Sequence, residues 1–231
     1  MVGKTRRPEQ RWSMVSYWPL FDLELRTPRL VLRPPRDDDF EGLMDAIDAG
    51  IHEPESMPFS IPWTDEEPKS RRRSTAQFLW RQRANWSRDD WNLPFGVLHE
   101  GKPIGLQGIL AKSFPILREV QTASWLSQPC QGQGFGKEMR AAVLQLAFEG
   151  LGAEVARSGA FVDNLSSIGV SKALGYRENG RCREAPRGHA KEMINFELTH
   201  DEWLQRSRAW PRAEIIGLEP SMPIFGLTST D

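Results

Sequence analysis

Glycine recurs at alternate positions in Gln131-Gly132-Gln133-Gly134-Phe135-Gly136, between a β-like stretch and a helix-like one. A glycine-rich turn from strand to helix aims several backbone N–H groups, and the positive end of the helix dipole, at one point, which suits a phosphate or pyrophosphate. Spacing narrows the ligand. An ATP or GTP loop requires G-x-x-x-x-G-K-[ST], but Gly136-Lys137 is followed by Glu138, and the position five before Gly136 is Gln131. A dinucleotide fingerprint requires G-x-G-x-x-G, and Lys137 stands where its third glycine belongs. A second polar group, Asn164, Ser167 and Ser171, falls at i, i+3 and i+7, one face of a helix. On pattern alone, Asn164 serves equally well as the helix N-cap, with the serines as ordinary small residues.

These groups need elements to hold them. Periodicity and turn residues predict strands at 29–33, 93–98, 104–110, 120–126, 155–162 and 192–198, with one more inside 176–186. Glu100-Gly101-Lys102 has hairpin length between two of them. Asp37, Asp38 and Asp39 offer cap and first-turn acids to a helix carrying Leu43, Met44 and Ile47. Further helices are predicted over 69–88, 134–148 and 164–174, the last ended by Gly175. The Arg71-Arg72-Arg73 run is either a solvated helix start or a phosphate contact. Prolines 54, 58 and 62 break the segment 50–63, yet Met57, Phe59, Ile61 and Trp63 make it too apolar for bare coil, so it should fold over something.

Composition removes whole classes of function. The chain of 231 residues carries 30 basic and 31 acidic side chains, a net charge of -1, so no whole-molecule field draws it to nucleic acid or to an anionic membrane. Cys130 and Cys182 form no CxxC pair and stand apart from any histidine at zinc-ligand spacing, which predicts no metal site and no disulfide framework. A reducing cytoplasm is the simplest home, and no apolar run reaches membrane-spanning length. Nine tryptophans, several beside prolines, either pack under loops or line a pocket. Three parts are expected: a flexible N-terminal arm at 1–17, a catalytic domain at 18–208, and an apolar docking tail at 209–231 that seats on the domain or on a partner subunit.

The loop satisfies Q/R-x-x-G-x-G/A through Gln131, Gly134 and Gly136. Other landmarks follow in order: Leu25-Arg26-Thr27-Pro28-Arg29-Leu30-Val31-Leu32-Arg33, then Trp125-Leu126, then Asp163-Asn164-Leu165-Ser166-Ser167, then Leu174-Gly175-Tyr176-Arg177-Glu178-Asn179-Gly180. Together, from about Trp18 to Trp203, the sequence resembles the RimJ/RimL-type branch of the GNAT superfamily of N-acetyltransferases. Asp89-Asp90-Trp91 and Phe161-Val162-Asp163-Asn164 also resemble GNAT succinyltransferases. The resemblance implies an α/β GNAT acyl-CoA N-acyltransferase fold, a mixed, mostly antiparallel twisted sheet splayed near its middle with helices on both faces. It implies acetyl-CoA, or succinyl-CoA, as acyl donor and a primary amine, on a small molecule or a protein N-terminus, as acceptor. Relatives often pair, so a homodimer is expected as well.

Residue roles follow from the same resemblance. The main-chain amides of Gln131, Gly132, Gln133, Gly134, Phe135, Gly136 and Lys137 would wrap the CoA pyrophosphate, and Trp125, Leu126 and Ser127 would lie along the pantetheine. Asn164 would contact that arm, and Ser167 would protonate the departing thiolate. Ser171 stands where many relatives carry a tyrosine acid. Gln121 occupies a position that often holds a glutamate base, so Glu119 is the substitute, with His189 and Asp163 behind it. Arg181, Arg183, Arg187 and Lys191 either receive a carboxylate or are solvated surface. Cys130, at the pyrophosphate end, is structural. Gln121 and Ser171 also admit a non-catalytic acyl-CoA sensor or assembly subunit.

Overall fold

Alternation of inward and outward side chains builds the sheet. In the computed structural model, which describes residues 17–227, the strands are β1 (Glu24–Arg26), β2 (Leu30–Arg33), β3 (Asp90–His99), β4 (Lys102–Lys112), β5 (Glu119–Leu126), β6 (Val155–Phe161), β7 (Arg177–Glu184), β8 (Lys191–Thr199) and β9 (Glu214–Ile216). Their order is β7-β8-β6-β5-β4-β3-β2-β1-β9, antiparallel throughout except for the parallel β5–β6 pair. The β3–β4 hairpin runs longer than its apolar pattern predicts. Glu100 (φ 50°) and Gly101 (φ 76°) form a two-residue turn in the left-handed region, whose twist matches that of the strands and lets pairing reach the turn itself.

The longer helices are α1 (Phe40–Asp48), α2 (Pro68–Ala84), α3 (Phe135–Gln145), α4 (Leu165–Leu174) and α5 (His200–Ser207). They cover both faces. Leu106 of β4 joins Phe40, Leu43, Met44, Ile47 and Leu79 in a cluster under α1 and α2, whereas Ile109 and Ala111 of the same strand join Met139, Val143 and Leu146 from the α3 side. Three boundaries differ from expectation. Helix α2 stops at Ala84, short of residue 88, with Trp80 half exposed. Residues 37–39 form a 3-10 turn ahead of α1, its Asp39 carboxylate held by Arg33 at 2.6 Å. Helix α3 ends its regular turns at Gln145 and continues as a π-helical stretch, Leu146–Gly150.

Pairing between β5 and β6 covers three rungs, Glu119↔Val155, Val120↔Ala156 and Gln121↔Arg157. Beyond them the strands part: β5 continues to Leu126 bonded to β4 alone, while β6 continues to Phe161 bonded to β8. A fork opens in mid-sheet.

The segment after Ser207 is bound into the sheet. Strand β9 pairs with β1, Gln145 bonds both the N–H and the carbonyl of Ala213 at 2.9 and 3.0 Å, and Phe225 is fully buried against Trp86 and Trp91. Residues 1–16 of the expected arm and 228–231 of the expected tail lie outside the described residues. Among those described, no helix is long and apolar enough to cross a membrane, and no cluster of His, Cys, Asp and Glu could hold a metal ion.

Candidate functional site

The glycine turn lies between the end of β5 and the start of α3. A 3-10 turn at Gln128–Cys130 leads into Gln131, after which Gly132 (φ 73°) and Gly134 (φ 85°) take left-handed backbone conformations that a side chain would strain. The N–H of Gln131 donates to the Gln128 carbonyl at 3.0 Å and that of Lys137 to the Gly134 carbonyl at 3.1 Å. Among the described residues, the N–H groups of residues 132–136 find no such backbone acceptor. These unpaired donors head a helix of eleven residues, the geometry of an anion-binding nest. Within the expected donor set, 131–137, the amides of the two end residues thus have carbonyl partners inside the turn.

Gly136 behaves differently from its neighbours. A Cβ there would meet Val170 Cγ2 at 3.5 Å, an ordinary contact, so the fold itself does not demand glycine at this position.

Side chains far away in sequence fix the turn. Arg29 Nη1 donates to the Gln133 carbonyl at 3.0 Å, its Nε donates to Glu138 Oε2 at 2.7 Å, and its guanidinium lies 4.6 Å from the Phe135 ring centroid. Thr27 Oγ1 donates to the other Glu138 oxygen at 2.6 Å. Gln131 Nε2 donates to the carbonyls of Ile51 and Leu126 at 2.7 and 2.8 Å, joining the turn to the 50–63 loop and to β5. No local pattern marks Arg29, Thr27 or Glu138 as site residues; their one signal in the sequence is that Thr27 and Arg29 lie in the segment Leu25 to Arg33.

Across the fork, α4 begins at Asn164, whose Oδ1 accepts from the Ser167 N–H at 3.1 Å, so the N-cap role is occupied. Its amide nitrogen remains available to donate. Ser167 is half-buried, while Ser171 is fully buried with no hydrogen-bond partner for its Oγ. The three do share one helix face, graded from mouth to interior. Glu119 sits in the closed part of the fork, its carboxylate 2.7 Å from Arg157 Nε, and Arg157 reaches on to Glu197 at 2.7 Å. The Glu119 hydrogen bond, ahead of the charge of Glu197, raises the Arg157 pKa above its ordinary value.

Inside the fork on the α3 face, buried Arg140 donates to Gln107 of β4, Ser158 of β6 and Ser124 of β5 at 3.2, 3.2 and 2.8 Å. Burial pushes its pKa below the usual guanidinium range, opposed by neighbouring Tyr176; at arginine's basicity the group stays charged. Burial likewise raises the Tyr176 phenol, which is 3.4 Å from Thr122 Oγ1.

The 50–63 loop folds over the end of β5. Its Gly50 carbonyl accepts from the Gln128 N–H at 2.8 Å, and an aromatic row, His52–Phe59–Trp63–Trp125, runs from loop to strand with ring separations of 5.8, 5.3 and 6.2 Å. Arg187 clasps Asp65 through two bonds of 2.6 Å and donates to the Pro54 carbonyl at 3.0 Å. Lys191 bonds the Met57 carbonyl at 2.9 Å and Asp163 at 2.8 Å, while Arg181 pairs with Glu192 at 3.0 Å. These three cations, expected to meet a substrate carboxylate or water, instead bind partners within the chain; Arg183 is exposed. In the Arg71-Arg72-Arg73 run, Arg71 and Arg72 tie α2 to Asp48, Glu41 and Asp45 of α1, while Arg73 is exposed.

Comparisons with known proteins bear on the fold and the family. The sequence profile described as "Acetyltransferase (GNAT) domain" matches residues 29–177. Among solved structures, Mycobacterium smegmatis RimJ in complex with CoA-disulfide superposes with a TM-score of 0.69 at 22% identity, covering 85% of this chain and 98% of that one. A GCN5-related N-acetyltransferase from Brucella melitensis gives 0.64 at 19% identity, covering 81% and 84%. The ribosomal-protein-S5-alanine acetyltransferase of Vibrio fischeri gives 0.59 at 16%, covering 79% and 99%.

Proposed function

The chain belongs to the GNAT acetyltransferase family, and from that premise we propose that this N-acyltransferase moves an acetyl group from acetyl-CoA to a primary amine, by direct attack in a ternary complex. One observation carries the reading: unpaired N–H groups at 132–136 lie at the end of a strand whose far edge is open from residue 122 to 126. A diphosphate suits the first, and an amide-bearing arm lying like an added strand suits the second. Acyl-CoA, when bound, supplies an activated acyl carbon. The backbone around Trp125, Leu126 and Ser127 orients it, Asn164 donates its free amide hydrogens to the arm, and Ser167 returns a proton to the departing sulfur.

Deprotonation of the acceptor falls to Glu119 through water, at the cost of its ion pair with Arg157, or is bypassed by positioning an amine that is already neutral. Ser171 is sealed from solvent, so as an acid it would act behind Ser167. Succinyl-CoA is the second donor to test, although the cations at 181, 187 and 191 already have partners of their own. The Vibrio fischeri neighbour makes a protein N-terminus one acceptor to try beside small amines.

The test is direct. Purified protein is titrated with CoA by calorimetry, then incubated with acetyl-CoA or succinyl-CoA and a panel of peptide and small-molecule amines while free thiol is followed. Amine-dependent thiol release from acetyl-CoA is expected. Preference for succinyl-CoA would transfer the assignment to that donor, and binding without turnover would replace catalysis by an acyl-CoA sensor.

A further inference from the structure

Arg140 is a buried cation that the scheme above leaves unused. It is 3% exposed, and its three hydrogen-bond acceptors, Gln107 Oε1, Ser158 Oγ and Ser124 Oγ, are all neutral. Among the described residues it makes no ion pair, and its other polar neighbour is the Tyr176 phenol. A guanidinium taken out of water without a counter-charge is costly to keep, unless the site has a use for its positive potential.

Its location supplies that use. Ser158 is one residue, and Ser124 three, beyond the last β5–β6 rung at Gln121↔Arg157. Arg140 therefore holds one side chain from each arm of the fork just past the point where the arms separate. Each serine oxygen accepts from the guanidinium, which leaves its own O–H free to donate and polarises that hydrogen. Ser124 is half-buried and lies on the stretch of β5 that β6 leaves unpaired.

We propose that Ser124 and Ser158, polarised by Arg140, form an anion hole in the fork that stabilises the negative charge developed when the acyl group leaves sulfur. The proposal rests on the acyl-transfer reading. In that reaction the neutral amine nitrogen gives its lone pair to the thioester carbon, and the carbonyl oxygen takes up negative charge. The C=O bond then re-forms, the C–S bonding pair leaves on sulfur, the nitrogen proton is lost to base or water, and sulfur gains a proton from Ser167 or water. Amide and free thiol are the products. Both the carbonyl oxygen and the sulfur pass through a charged form that fixed donors and a fixed cation favour. Arg140 acts through the serines, as a positioning residue.

The thiolate gives a readout independent of turnover. Bound CoA is titrated by its thiolate ultraviolet absorbance in the wild-type protein, in Arg140→Gln, and in Ser124→Asp, which sets a carboxylate against the guanidinium instead of removing it. At neutral pH the wild type should hold a thiolate fraction at least about tenfold above that of free CoA. Both variants should return it to the free value, with kcat lowered about a hundredfold and the amine KM little changed. A wild-type thiol that titrates as free CoA does overturns the proposal. So does a folded Arg140→Gln that keeps the wild-type titration; if that variant fails to fold by circular dichroism, an unaltered Ser124→Asp titration does the same. Absence of any heat with CoA instead removes the acyl-transfer reading beneath it.

Discussion

Gly134 and Gly136 look alike in the sequence and differ in the structure. At Gly134 the backbone is left-handed, φ 85°, and an added Cβ would stand 3.4 Å from Arg29 Nη2. Gly134→Ala should therefore cost stability, about 1–2 kcal/mol, as well as ligand affinity. At Gly136 nothing in the chain objects to a methyl group. Gly136→Ala should not lower the melting temperature and should still weaken CoA binding by about tenfold in calorimetry, because only a ligand pressed against the helix start would need that space. Equal affinity in wild type and Gly136→Ala would mean that no ligand approaches there. The glycine turn and the helix start were legible because they are contiguous in the chain. Arg29, Thr27 and Glu138 were illegible for the opposite reason: their bonds span 109 to 111 residues, and no local pattern records them. Arg140 was hidden by its type, because arginine beside Met139 reads as the solvated side of a helix.

Elements were read best where one face is apolar and least well at their ends. The strands of the β3–β4 hairpin outran their apolar pattern because backbone pairing, once the turn is right, continues through Pro103 and Asn92. Helix α5 shows a boundary set by side chains. Thr199 Oγ1 accepts from the Glu202 N–H at 3.4 Å, and Glu202 Oε2 accepts from the Thr199 N–H at 2.9 Å, a reciprocal cap. Thr199→Ala should destabilise the protein by about 1 kcal/mol in urea unfolding at neutral pH. The Thr199 backbone bond, ahead of the Thr199 hydroxyl and Arg177, holds the Glu202 carboxyl below its ordinary value. A lowered folded-state value contributes stability above the unfolded pKa and loses it as pH falls through the folded one. The melting-temperature gap between wild type and Glu202→Gln should thus be open at pH 7 and close below the usual carboxylate range. A gap constant down to strongly acid pH would exclude the linkage.

On the scale of the molecule, the sheet depends on a segment that sequence alone set apart as a tail. Its apolar residues, broken by proline and glycine, carry no period that would announce a strand or a partner, and the edge it covers is β1, nearly 190 residues away in the chain. Phe225, closed in by Trp86 and Trp91, should act as a full member of the core. Phe225→Ala is expected to cost about 3–5 kcal/mol by calorimetric unfolding, and a cost near zero would make the segment an appendage. The family was legible in the glycine turn and its landmarks, which fall within or beside the GNAT profile match at 29–177; the closing strand, outside that match, was not.

The three rungs that unite β5 with β6 make the sheet two plates riveted along one short seam. Past that seam the edge of β5 that faces β6 is bare along residues 122–126. Apart from those rungs, Arg140 links the plates through Ser124 and Ser158, so one side chain holds the gap where the backbone does not.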